Sequence, residues 1–156
     1  MQFPIVRPRR LRASKLIRDA VAETTVDPSN FIYPLFVKPS GEPEPISAMP
    51  GQYRWPVGEP LVKHVEEAVA LGVNRFILFG VLPDELKDVV GSGGYDPEGV
   101  VPRALRLLRE AFGDKILLFA DVCLCEYTDH GHCGVVKERR GRWYVDNDET
   151  IKLYAK

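Results

Sequence analysis

The sequence predicts an α/β fold built on a parallel sheet: a (β/α)8 TIM barrel, of which these 156 residues supply roughly the first half. Strand-length apolar runs begin near residues 31, 75 and 115, and segments with helical spacing lie between them. No hairpin signal interrupts the alternation, so the order strand, helix, strand, helix, strand implies right-handed crossovers and parallel neighbours covered by helices. Each predicted strand also runs into a long loop. That favours a barrel over a doubly wound sheet, because barrel sites are assembled on the loops at the C-terminal ends of the strands.

Residues 1–28 read as an N-terminal arm. Arg7, Arg9, Arg10, Arg12, Lys15 and Arg18 precede its first acidic residue, Asp19, and Leu11, Leu16, Ile17 and Val21 are spaced for a short amphipathic helix. An arm too small to bury itself packs against another subunit or the body of its own domain. It lacks the interleaved aromatics and folded reading motif of a nucleic-acid binder, and Pro4 and Pro8 break the pattern of a transit peptide.

Residues 29–156 read as the barrel portion. The run 31–37 is a buried strand even with Pro34 inside it, because its neighbours are so apolar. A Pro/Gly-rich loop follows over 39–60. Residues 61–71 form a helix with Leu61, Val65, Ala68 and Val69 on one face, Lys63, Glu66 and Glu67 toward solvent, and Gly72 as the stop. Residues 75–81 are the second strand. The Gly91-Ser-Gly-Gly94 segment behind it lacks the Lys-Ser/Thr of a phosphate-binding loop and reads as a flexible connection to Asp96-Pro97. Residues 102–112 form the second helix, with Leu105, Leu108 and Phe112 at helical spacing. Residues 115–124 are the third strand, and a further helix starts within 147–156 with Asp148 or Asn147 as its cap.

All three cysteines fall between Asp121 and Gly134, directly after the third strand. In an extended chain Leu117, Phe119, Asp121, Cys123 and Cys125 share one face, and Ile116, Leu118, Ala120, Val122 and Leu124 share the other, which is wholly apolar and suits packing under helices. Asp121 therefore faces the same space as the thiols. Two extended residues span roughly 6.6 Å, so Cys123 and Cys125 reach one metal only if the strand bends as it ends. Gly131 and Gly134, flanking His132-Cys133, supply the freedom to fold the third sulfur back. Three clustered thiolates suit zinc, which takes sulfur at about 2.3 Å in a tetrahedral shell and keeps its fourth position open when the protein gives three ligands.

Three other readings stand beside that one: buried cysteines acting as small hydrophobes, a disulfide with a spare thiol, and a closed structural zinc completed by His130 or His132. The fourth ligand decides between an open and a closed site. An odd cysteine count without a signal peptide argues against an oxidised secreted scaffold, and the expected location is cytoplasmic. A net charge of −1 gives no general reason to expect nucleic acid, and the apolar runs fall far short of the ~18 residues a spanning helix needs. Eight repeats plus the arm would take on the order of 330 residues, so the chain reads as cut short.

In Arg9–Arg12, Ile32–Val37, Ser47–Gly51 with Arg54, Leu78–Val81, Lys87-Asp88 and above all Asp121–Gly134, the chain resembles the porphobilinogen synthase (delta-aminolevulinic acid dehydratase) family. The resemblance implies a hydro-lyase that condenses two molecules of 5-aminolevulinate to porphobilinogen with loss of two waters, in tetrapyrrole and haem biosynthesis. It implies Zn(2+) on Cys123, Cys125 and Cys133, as in the cysteine-type members, with Asp121 beside it to orient substrate and accept a proton. Tyr127, His130 and His132 then pack the loop rather than bind metal. It further implies a homo-octamer built through N-terminal arms, and Mg(2+) as an allosteric ion elsewhere in the full protein. The family's Schiff-base lysines belong to motifs absent here, and Lys38 reads as an ordinary exposed residue. A zinc-binding half-barrel module with a structural Cys-rich site is the alternative. A zinc hydrolase, which relies on histidine and carboxylate ligands, fits three thiols poorly.

Overall fold

The computed structural model describes residues 2 and 4–156. The arm contributes a 3₁₀ turn at Pro8–Arg12 and helix α1 (Lys15–Ala20), where the Ser14 hydroxyl caps the first turn by accepting from the Ile17 N–H. Its apolar residues are on the surface, Leu16 being 81% exposed. Strands β1 (Tyr33–Lys38), β2 (Glu44–Pro45) and β3 (Tyr53–Pro56) precede α2 (Glu59–Ala70). Then come β4 (Arg75–Gly80), α3 (Val100–Phe112), β5 (Leu117–Ala120), the hairpin β6 (Val136–Arg139) and β7 (Arg142–Val145), and α4 (Asn147–Tyr154).

Five strands form one sheet in the order β2-β3-β1-β4-β5, with every neighbour parallel except β2 against β3. The period of two along β4 shows why the sheet has two unlike faces: Phe76, Leu78 and Gly80 are buried, whereas Arg75, Ile77 and Phe79 are not. The buried face lies under both long helices, where Leu35, Val37, Phe76 and Leu78 form one core with Leu61 and Val65 of α2 and Ala104 and Leu108 of α3. On the opposite face Phe36 stacks on Phe79, ring centroids 5.6 Å apart, and both remain half-buried. Trp55 stacks on His64 at 4.2 Å and ties β3 to α2. No helix of the described residues is long and apolar enough to cross a membrane.

The structure differs from the sequence expectation in four places. The predicted loop 39–60 holds β2 and β3, and β3 pairs with β1 from Phe36 onward. Pro34 lies before that pairing starts and has a strand partner only in β4, at Ile77, so its missing N–H leaves no gap on the β3 side. Second, β5 ends at Ala120, and Val122, expected under helices, is 69% exposed while Leu124 is 3% exposed. Third, β6 and β7 form a hairpin that was not anticipated, turning at Arg140-Gly141 with φ of 56° and 73°. Two successive positive φ values are the mark of a tight turn whose twist matches that of the flanking strands. Fourth, α2 and α3 each begin two residues before their predicted starts.

The core makes an unequal pair of substitutions testable by urea denaturation. Leu108→Ala, at a site with no solvent exposure, is expected to destabilise the chain by about 2–5 kcal/mol. Leu71→Ala, at a 77% exposed position, is expected to stay within about 0.5 kcal/mol of the parent. Equal losses would contradict the placement of α3.

Candidate metal centre

The site grows out of the end of β5. The Asp121 N–H still donates to the Leu78 carbonyl at 3.2 Å, holding this carboxylate at the sheet's C-terminal edge, and the chain then leaves the sheet. Leu124 buries itself, and its carbonyl accepts from the N–H groups of Tyr127 and Thr128 at 2.9 and 3.0 Å, closing a helical turn over Cys125 and Glu126. Thr128, 2% exposed, donates its hydroxyl to the His132 carbonyl at 2.9 Å, which draws the second half of the loop back over the first. Gly134 has a φ of 143°, and a methyl there would come within 2.5 Å of Thr150 Cγ2 and 2.8 Å of Val145 Cγ1. Helix α4 completes the wall: Thr150 accepts from the Val135 N–H at 3.0 Å, and the Tyr154 hydroxyl donates to the Cys133 carbonyl at 3.3 Å.

This folding brings three sulfurs together. Cys123 Sγ lies 3.0 Å from Cys125 Sγ and 3.2 Å from Cys133 Sγ, and all three atoms fall within 4.8 Å of one another. The spacing expected of an extended strand does not arise, because a turn begins at Leu124, between Cys123 and Cys125. All three cysteines are free, Cys123 and Cys125 half-buried and Cys133 exposed. Tetrahedral zinc with sulfur at about 2.3 Å spaces its thiolates at about 3.8 Å, so a small outward movement of the sulfurs accommodates the ion. The donor set fits zinc.

The histidines lie outside this group. His130 Nε2 sits 3.3 Å from the Val89 carbonyl, and its Nδ1 accepts from the His132 N–H at 3.1 Å, which engages both ring nitrogens. Among the described residues the metal-capable groups are the three thiols and a second set of Asp121, Cys123 and Glu126. A closed site completed by histidine therefore lacks its fourth ligand here. Glu126 was not anticipated from the sequence. Its Oε2 lies 3.3 Å from Cys125 Sγ, and the available signal was an acid next to a cysteine in a segment already assigned to metal.

The site's electrostatics favour a cation. Neither Asp121 nor Glu126 has an ion-pair partner among the described residues. Burial, and then the Glu126 charge, push the Asp121 carboxyl above its ordinary range. Burial lifts the Cys123 thiol too, and lifts Cys125 much further, with the Cys123 contact adding to it. Tyr127 is pushed up to about 12, first by burial and then by Glu126. Beside the cluster lies a cavity of about 350 Å³ whose lining includes Asp121, Cys123, Tyr95, Tyr127 and Tyr154. A second, of about 570 Å³, lies at the ends of β1 and β4 against Lys38, Arg54 and Lys87. Lys38 is not the exposed residue expected: its side chain is 19% exposed and pairs with Glu44 at 3.4 Å, because β2 folds across it.

Residues 5–156 match the family model described as delta-aminolevulinic acid dehydratase. The chain belongs to the delta-aminolevulinic acid dehydratase family. It is 47% identical to the delta-aminolevulinic acid dehydratase of Streptomyces coelicolor over 98% of its own length and 46% of that protein. It is 46% identical to that of Mycobacterium tuberculosis H37Rv over the same shares, and 42% identical to that of Methanothermus sociabilis over 100% and 46%. The crystal structure of the Toxoplasma gondii ME49 dehydratase (porphobilinogen synthase), in complex with the reaction product porphobilinogen, superposes with a TM-score of 0.87 at 44% identity. That match covers 99% of this chain and 42% of the other. The chain thus spans about half the length of the curated relatives it matches, and its α/β fold is part of this dehydratase family's (β/α)8 barrel with the arm attached.

Thiols that hold their protons until a cation arrives must release them on binding. Zinc titrated into the reduced chain near neutral pH is expected to displace about two to three protons per ion, with affinity rising as pH rises. Calorimetry in buffers of different ionisation enthalpy measures this. A buffer-independent heat would rule out thiolate binding.

Proposed function

We propose that this chain is the metal-binding half-barrel of a porphobilinogen synthase. In this role Cys123, Cys125 and Cys133 hold zinc for a condensation of two 5-aminolevulinate molecules to porphobilinogen, with loss of two waters. The contact of the three sulfurs carries the proposal, since the family relationship alone does not say whether a member has thiols at this position. Bound there, zinc supplies a Lewis acid with an open coordination position. Asp121, on the same side as Cys123, orients the substrate amine and accepts a proton, for which a carboxyl raised above its ordinary range is suited. The cavity beside Asp121, about 350 Å³, is of a size to admit a small amino acid.

The carbonyl-activating lysines of this chemistry are assigned to the part of the barrel that this chain does not span, because Lys38 is held by Glu44 and stands in no matching motif. The same proposal includes a cytoplasmic homo-octamer assembled through residues 1–28, whose apolar side chains Leu16 and Val26 are open to a partner, and an allosteric Mg(2+) elsewhere in the whole protein. The engaged state of Lys38 also favours a second reading, in which the chain is a zinc-binding half-barrel module and its Cys-rich site is structural.

Two measurements separate these readings. The 156-residue chain, reduced and zinc-loaded, is expected to bind one ion and to give no adduct when 5-aminolevulinate is trapped with borohydride. Residues 1–156 grafted in place of the matching half of the Streptomyces coelicolor relative are expected to restore porphobilinogen formation. In that chimera Cys125→Ala or Asp121→Asn should lower turnover at least about 100-fold. An active chimera indifferent to both substitutions would leave only the structural-zinc module.

A further inference from the structure

We infer that Tyr127 is the positioning residue of the thiol cluster, its ring seated in a socket of three glycines that locks the cysteine loop onto the end of β4. The inference rests on the metal-centre reading above and names what makes the centre possible. Tyr127 lies outside the sheet, yet it is 6% exposed and belongs to the main core. The socket has no room to spare. A methyl placed on Gly80 would come within 2.8 Å of Tyr127 Cζ and 3.0 Å of Val100 Cγ1. One on Gly94 would lie 3.0 Å from Tyr127 Cδ2, 3.1 Å from Leu124 Cδ2 and 3.3 Å from Tyr127 Cε2, and one on Gly93 would lie 2.6 Å from Leu82 Cδ1 and in ordinary contact, at 3.4 Å, with Tyr127 Cδ1.

The glycine segment that carries no phosphate-binding lysine thus has another use, which is to let an aromatic ring pass close to backbone. The segment is itself held in shape. Asp88 Oδ1 accepts from the N–H groups of Val90 and Ser92 at 2.9 and 3.0 Å, folding the glycine turn around the carboxylate. The Asp88 backbone then pairs with the cysteine loop, its N–H donating to the Tyr127 carbonyl at 3.2 Å and its carbonyl accepting from the Asp129 N–H at 3.1 Å. Ring and backbone pairing therefore fix the same residue, two positions from Cys125. No strand or long helix carries the cysteines, so the precision that three converging sulfurs require has to come from this anchorage.

Titration of the reduced 156-residue chain with cobalt(II), read by thiolate-to-cobalt charge-transfer absorbance, with zinc affinity obtained by competition, tests the inference. Tyr127→Ala and Gly94→Ala are expected to weaken zinc binding at least about tenfold and to diminish the charge-transfer band. Tyr127→Phe, which keeps the ring in the socket, should bind within about threefold of the parent. Leu108→Ala, a core truncation remote from the loop, controls for general destabilisation and should also stay within about threefold. If Tyr127→Ala unfolds the chain, Gly94→Ala decides, because it removes no side chain and presses on the Tyr127 ring and on Leu124 of the same loop. Parent-like binding by the Gly94 and Tyr127→Ala variants, or equal weakening by Leu108→Ala, would overturn the positioning role while leaving the metal centre intact. A parent chain without the band would refute the metal centre itself, and the inference with it.

Discussion

Parallel pairing of β1, β4 and β5 is the constraint on which the rest depends. Parallel neighbours must be joined by crossovers, so the two long helices end up on one face and the strand-to-helix loops all leave from one edge. The loops after β4 and β5 are therefore neighbours without any interaction of their own to bring them together. Register does the rest: Leu78 opposite Ala120 places Asp121 beside the end of β4, and Gly80 lies two residues further along the same strand. Metal-capable groups and socket are both products of where two strands stop.

The chemistry of the centre follows from its poverty in cations. Two carboxylates and three thiols lie in one loop with no lysine or arginine paired to the acids among the described residues; burial and the Glu126 charge raise the cost of ionising Asp121, and burial with the Cys123 contact raises that of Cys125. A single divalent ion removes that penalty for all of them. The raised carboxyl of Asp121 and the raised thiols of Cys123 and Cys125 are thus facets of one electrostatic imbalance.

Much of this was legible in the sequence, for reasons that differ between elements. Continuous apolar runs marked β1, β4 and β5 because strands buried under helices have little need of polar residues, and the period of α2 and α3 was plain because each has one apolar face. The clustering of cysteines was also legible, and Asp121 does lie within 4.8 Å of Cys123, although both stand beyond the end of β5 and not in strand alternation. β3 was not legible, since four residues bounded by glycine and proline carry too little pattern and are held by pairing with β1. The hairpin escaped notice because neither strand alternates, β6 being Val-Lys-Glu-Arg and β7 Arg-Trp-Tyr-Val, both largely exposed, although its Arg-Gly turn was in view. Beyond Ala120 strand parity ceased to apply, so Val122 could not be placed, and the burial of Tyr127 depends on glycines more than thirty residues earlier. Contacts between loops are set by strand ends that only the folded sheet brings together.

The sulfurs of Cys123, Cys125 and Cys133 lie within 4.8 Å of one another, and Cys123 touches both others. Three thiols so placed cannot all be paired by oxidation. An oxidant that joins any two of them leaves one free thiol. A single disulfide would therefore take two sulfurs from the proposed three-thiolate site, in a step that a thiol reductant reverses.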